Sequence, residues 1–245
     1  MVSKSQIKLI TSLEQKKNRA LHGLFTVEGI KGISELLNSH FELEKLYTTN
    51  QEFTASESKT EIISENDLKK ISNLKTPQVA LAIFRIPENK PPEIKGLCLA
   101  LDGIRDPGNL GTIIRLCDWF GIKELLCSKD TVDCYNSKVV QATMGSITRV
   151  NVSYVNLEEI ITENNDNEIF GTFMDGENIY NSSIPAHGIL ILGNEANGIS
   201  PTFEKLLTRK LSIPQFGDGG KTESLNVATA AAIFLSEFRR RTTGK

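Results

Sequence analysis

Between residues 97 and 240, short apolar runs alternate with segments of helical periodicity, and this alternation constrains the fold more than any other feature of the chain. The apolar runs cover 97–101, 124–127, 150–155, 169–173, 189–192 and 210–213. Helical spacing covers 109–120, 137–144, 157–163, 201–207 and 224–240. Short apolar runs without polar alternation suit strands buried on both faces. Strands joined through helices lie parallel in one sheet. The expected α/β domain is thus a parallel sheet with helices on both faces, and ligands in such sheets bind at the carboxyl ends of the strands.

The N-terminal part reads as a smaller α/β unit. A helix is expected over 3–20, with Ile7, Ile10 and Leu13 apolar, and another over 29–38, with Ile30, Ile33, Leu36 and Leu37 facing inward. Strands are expected at 24–27, 43–48, 62–63 and 79–84. Ser64 and Asp67 fit a Ser-x-x-acid start for a helix running to about Asn73. Residues 86–96, IPENKPPEIKG, carry three prolines and continue neither a helix nor a central strand. The expected division is 1–88, a linker at 89–96, and 97–245.

Composition narrows the function by exclusion. No apolar run approaches a membrane span, and the first twenty residues lack the apolar core of a signal peptide, so a cytoplasmic protein is expected. Cys98, Cys117, Cys127 and Cys134 form no C-x-x-C pair and read as reduced core residues. His22, His40 and His187 are scattered, which argues against a zinc site or a histidine triad. The net charge of −2 is no nucleic-acid signature, but residues 1–19 hold Lys4, Lys8, Lys16, Lys17 and Arg19 against Glu14 alone. Arg239, Arg240, Arg241 and Lys245 make a second basic cluster. Such clusters are solvated faces and solubility tails, or phosphate contacts if a polyanion is the partner.

Three loops at expected strand ends stand out. The first, residues 102–109, leads into a helix with Leu110, Ile113, Ile114 and Cys117 inside. Asn109 is placed to cap it, and Arg115 lies off its apolar stripe, as a solvated arginine or a functional one. Gly103 and Gly108 have P-loop spacing, but Asn109 and Leu110 follow instead of Lys and Ser/Thr, and no G-x-G-x-x-G follows any strand. The second loop, 193–200, holds Glu195 between glycines, where a carboxylate can bind or move a proton, or simply sit in a turn. The third, 212–226, has Gly217, Gly219 and Gly220, then Glu223 and Ser224, before a helix with Ala228, Ala231, Leu235 and Phe238 inside. Ser224 reads as an N-cap, alone or with a further role.

Together the segments LDGIRDPGNLGTIIRLCDWFG, ILILGNEANGIS and LSIPQFGDGGKTESLNVATAAAI resemble, in order and spacing, the three motifs of the SpoU (TrmH-like) branch of the SPOUT RNA methyltransferases. Lys17-Asn-Arg19, Phe25 and Glu28-Gly29 resemble the small RNA-binding domain that precedes many members. The resemblance implies a deep trefoil knot in the C-terminal domain, homodimers with the site near the subunit boundary, S-adenosylmethionine as methyl donor, and a ribose 2′-hydroxyl of structured RNA, ribosomal RNA ahead of transfer RNA, as acceptor. Carried over by motif, Asn109, Arg115, Glu195, Ser224 and Asn226 are the catalytic set. Thr172, Leu192, Gly193, Ile213 and Leu225 would contact the cofactor, with the loop glycines as one wall of its pocket. Lys16, Lys17 and Arg19 would meet RNA phosphates. No metal is implied. Alternatives are an RNA-binding protein that keeps the fold without catalysis, and a base methyltransferase of the same fold.

Overall fold

A computed structural model describes residues 1–217 and 224–241. Gly219, Gly220, Glu223 and Lys245 lie outside the described residues. In chain order the elements are α1 (Lys4–Ser12), α2 (Lys16–His22), β1 (Leu24–Glu28), α3 (Ile30–Leu37), β2 (Leu43–Thr48), β3 (Thr60–Ile62), α4 (Glu65–Ile71) and β4 (Ala80–Arg85). There follow β5 (Leu97–Leu101), α5 (Pro107–Trp119), β6 (Glu124–Cys127), α6 (Ser137–Thr143), β7 (Asn151–Tyr154), α7 (Leu157–Glu163), β8 (Ile169–Asn178), β9 (Gly188–Leu192), α8 (Pro201–Glu204), β10 (Arg209–Ser212) and α9 (Val227–Arg240). Two compact units result: Met1–Asn89 with Asp133–Thr148, and Lys90–Val132 with Arg149–Lys245. The expected division places residues 133–148 with the rest of 97–245; they group with the N-terminal residues instead.

The first unit is a four-stranded sheet in the order β1-β4-β2-β3, antiparallel except for the β2–β3 pair. Its core gathers Ile10, Leu13, Tyr47, Leu68, Ile71 and Leu81. The expected single helix over 3–20 is two. Asn18 Nδ2 donates to Ser12 O at 2.9 Å, and Arg19 Nη1 donates to Leu13 O and Glu14 O at 2.8 Å. Side chains thus take carbonyls at the break between the helices. Ser64 does cap α4, accepting from Asp67 N at 3.1 Å. On α3 only Ile33 and Leu36 are buried; Ile30, on the first turn, is 41% exposed, and Leu37 is half-buried, so the inward face is narrower than expected.

Arg19 requires a correction. It is only 2% exposed, and its Nη2 and Nε reach Asp133 Oδ2 at 2.5 and 2.9 Å. With two carbonyls also held, the guanidinium is consumed inside the unit and offers no RNA phosphate a contact. Tyr135 packs its ring 4.7 Å from Phe25, and Gly145, at φ +93°, abuts Glu35 so closely that a Cβ would overlap it at 2.6 Å. These contacts explain why 133–148 fold with the N-terminal residues.

The second unit is a six-stranded sheet in the order β10-β8-β9-β5-β6-β7, every pair parallel. All five residues of β5 and of β9, the two middle strands, are buried. Parallel strands flanked by other strands on both sides and helices above and below have no solvent face, which is why they are continuous apolar runs. Cys98, Cys117, Cys127 and Cys134 are free and buried, and burial pushes the Cys98 thiol up to about 11. Among the described residues no helix is long and apolar enough to cross a membrane, and no cluster of three or more His, Cys, Asp or Glu could hold a metal.

The C-terminal arginines also serve the fold. Arg239 Nε donates to Phe120 O at 2.6 Å, at the end of α5. Arg241 Nη2 donates to Ile179 O and to Glu237 Oε1, both at 2.8 Å. Arg240 holds both oxygens of Glu237 at 2.7 and 2.8 Å. This pairing, Arg240 first and Arg241 second, lowers the Glu237 carboxyl to about 2. A carboxyl depressed in the folded state stabilises above its unfolded pKa, and that contribution is lost as pH falls through the folded value. We expect Glu237→Gln to have a thermal midpoint that falls less steeply than wild type between about pH 5 and about pH 2. Parallel melting curves would refute the assignment.

Candidate active site

Three loops meet at the carboxyl ends of β5, β9 and β10. Asp106, not Asn109, caps α5: its Oδ1 accepts from Asn109 N at 2.8 Å, and Pro107 occupies the first turn. Asn109 sits one turn inside, so its side chain is free for other work. Likewise Asn226, not Ser224, caps α9, its Oδ1 accepting from Ala228 N at 3.0 Å and Thr229 N at 3.2 Å.

These caps set a directed chain of hydrogen bonds. Backbone N–H groups only donate, so Asn226 must give its oxygen to α9 and turn its amide nitrogen outward. That nitrogen donates to Asn109 Oδ1 at 2.9 Å. Asn109 Nδ2 in turn donates to Glu195 Oε1 at 2.5 Å. One residue from each loop is thereby joined, across sequence separations of 117 and 86 residues. Arg115 lies on the exposed face of α5, with no hydrogen-bond or ion-pair partner among the described residues. Trp119, one turn further along the same helix, is 85% exposed.

A cavity of about 630 Å³ opens beside this chain. Thr172, Leu192, Gly193, Ile213 and Leu225 all line it, as do Glu195 and Ser224. Ile213 and Leu225 supply apolar surface, and β8 and β9 bring Thr172, Leu192 and Gly193. Gly193 is a position of close approach: a Cβ there would lie 2.2 Å from Gly198 C and 2.3 Å from Ile199 N, both backbone atoms. The structure thus brings together all five expected cofactor residues. Asn109, Arg115 and Asn226 are not among the lining residues. Nor is Gly217, which has open space around it, so of the described loop-three glycines none forms a wall.

Sequence reasoning missed further residues of the site. Phe173, on β8, and Phe234, on α9, line the cavity. Phe234 falls at helical spacing with Ala231 and Phe238, a signal that could have placed it on the inner face. Asp102 and Asn194 fasten the first two loops together. An acid and an amide immediately after buried strands were the available signal for those two.

A wholly parallel α/β sheet, with a cavity and an amide–carboxylate chain at its strand ends, is a ligand-binding α/β domain with its site at the carboxyl edge of the sheet, here carried with a separate α/β unit. The SpoU rRNA Methylase family model matches residues 96–236, and the chain belongs to that family, in the SPOUT class. A model of the MRM3-like substrate binding domain matches residues 4–82. The chain is 29% identical over 234 residues to the 23S rRNA (guanosine(2553)-2′-O)-methyltransferase RlmP of Bacillus subtilis (strain 168), covering 93% of each. A solved structure from Porphyromonas gingivalis, assigned to the TrmH family of RNA methyltransferases, superposes with a TM-score of 0.90 at 38% identity, over 98% of this chain and 99% of that one. The AdoMet-bound rRNA methyltransferase of Sinorhizobium meliloti superposes with a TM-score of 0.87 at 28% identity, over 98% and 97%.

Proposed function

We propose that this protein is an S-adenosylmethionine-dependent methyltransferase acting on a ribose 2′-hydroxyl of ribosomal RNA. The observation that carries the reading is the Asn226–Asn109–Glu195 chain, which ties all three motif loops together beside the cavity. The named activities of the similar proteins support the same reading.

The cavity fits the cofactor. Its apolar side chains suit an adenine ring, and the crowding at Gly193 leaves backbone rather than side chain to face a ligand there. Thr172, Leu192, Gly193, Ile213 and Leu225 would hold it. When bound, it supplies an electrophilic methyl group on a sulfonium. The protein's task is then to position the acceptor oxygen and stabilise the charge that develops on it. Arg115 would hold an RNA phosphate and stabilise the ribose oxygen as the hydroxyl proton leaves to that phosphate or to water, since a guanidinium keeps its own proton in proteins and takes no other. Glu195, with Asn109 and Asn226 behind it, would orient the ribose, and Ser224, on the cavity wall, would assist.

The same proposal takes Lys16 and Lys17, both exposed on α2, as phosphate contacts, with Arg19 withdrawn from that role. It includes a cytoplasmic location, a trefoil knot in the C-terminal unit and a homodimer, for which the exposed Trp119 offers apolar surface. Sedimentation at micromolar concentration would test the dimer. The deciding experiment incubates the protein with ribosomal RNA and methyl-labelled S-adenosylmethionine, then digests the RNA to nucleosides. Label in a 2′-O-methylnucleoside is expected. Label on a base, or none, overturns the proposal. Neutralising Lys16 and Lys17 should weaken RNA binding and flatten its salt dependence in parallel titrations.

A further inference from the structure

We infer that Asp102 is a positioning residue that sets Glu195 against Asn109 and holds loop 193–200 in its cofactor-binding form. The inference rests on the reading of Glu195 and of the cavity given above. Loop 193–200 is closed on itself: Asn194 N donates to Gly198 O at 3.0 Å, and Gly198 N to Asn194 O at 2.7 Å. It is then pinned at two points. Ser200 N donates to Asp102 Oδ2 at 2.7 Å, and Asn194 Nδ2 donates to Gly103 O at 2.7 Å. The support continues beyond the loops, because Gly103 N donates to Ser128 Oγ at 2.9 Å just past β6.

Glu195 lies between the two pins. Its partner Asn109 stands on the helix that begins a few residues after Asp102, so residues 102–103 are the shared footing of both members of the pair. Asn194, Glu195, Asn197, Gly198 and Ile199 also line the cavity. The footing therefore serves two ends: it shapes the cofactor loop, and it fixes the height of Glu195 relative to Asn109. Asp102 makes the only side-chain pin at the far end of the loop among the described residues. Losing it frees Ser200 N–H from an acceptor at a half-buried position and leaves Asn194 to hold the loop alone.

The test uses the full chain with Asp102→Ala, Asp102→Asn, Asn194→Ala and Glu195→Ala, reading S-adenosylmethionine affinity by calorimetry and methyl transfer as kcat and KM. Asp102→Ala should weaken cofactor affinity about tenfold or more and lower kcat. Asp102→Asn, whose amide oxygen still accepts from Ser200 N–H, should recover most of both. Asn194→Ala should weaken cofactor affinity in the same direction, which keeps the inference testable if Asp102→Ala fails to fold. In the Glu195→Ala background, Asp102→Ala should weaken cofactor affinity as before but lower kcat no further, because its effect on kcat runs through Glu195. Unchanged cofactor affinity in folded Asp102→Ala, no recovery in Asp102→Asn, or independent losses of kcat in the double variant would each overturn it. If wild type binds the cofactor but methylates no RNA, the proposed function fails, while the calorimetry still judges Asp102.

Discussion

Replacing Arg115 with alanine is expected to lower methyl transfer about a hundredfold or more, with melting temperature and S-adenosylmethionine affinity unchanged. The magnitude is that of removing one charged group aimed at a developing oxyanion. The selectivity follows from position. Arg115 is exposed, makes no ion pair or hydrogen bond among the described residues and does not line the cavity. Truncation therefore opens no hole and strands no buried partner, the two common routes by which a substitution damages a fold. Arg115→Lys should recover only part of the rate, because an ammonium keeps the charge but loses the planar fork that holds a phosphate through two bonds. Transfer within a fewfold of wild type in Arg115→Ala would remove the residue from the mechanism.

The second large effect is expected at Gly193. Its backbone is pressed against the peptide joining Gly198 and Ile199, and an alanine Cβ would sit 2.2 Å from a carbonyl carbon. No side-chain rotation relieves an overlap with backbone, so the strand end and loop 193–200 must separate. Overpacking of this kind costs about 1–3 kcal/mol, and here the cost falls on the wall of the cavity. Gly193→Ala should therefore bind S-adenosylmethionine roughly tenfold to a hundredfold more weakly. Gly217→Ala is the control: nothing lies within 4 Å of an added Cβ there, and affinity should be unchanged. Equal affinities for the two variants would show that close packing at Gly193 plays no part in binding.

The fold was legible wherever local pattern decides it. The buried runs of β5 and β9, and the inner stripes of α5 and α9, followed from apolar spacing alone, because burial on two faces or one stripe leaves a direct mark on residue order. All five residues expected to contact the cofactor line one cavity, four of them from the motif segments and Thr172 from β8. What escaped depends on reach between distant residues. Arg19 in a lysine-rich stretch looks solvated, but its partner Asp133 is 114 residues away. Asn109 and Ser224 both stand near helix starts with cap-competent side chains. Geometry gave the caps to Asp106 and Asn226, and that choice is what frees Asn109 to bridge Asn226 and Glu195.

The assignment of residues 133–148 to the N-terminal unit bears on how the protein can be taken apart. The polypeptide passes between the units three times, after Asn89, after Val132 and after Thr148. A protease nick in the proline-rich segment at 89–96 would give two separate peptides, held together by the packing of residues 133–148 against the N-terminal residues of the first unit. A gene fragment ending at that segment would encode the first unit without Asp133 to neutralise Arg19 and without Tyr135 to cover Phe25. In this architecture the visible linker is not a seam, and a swap of the first unit between relatives must carry both stretches of sequence together.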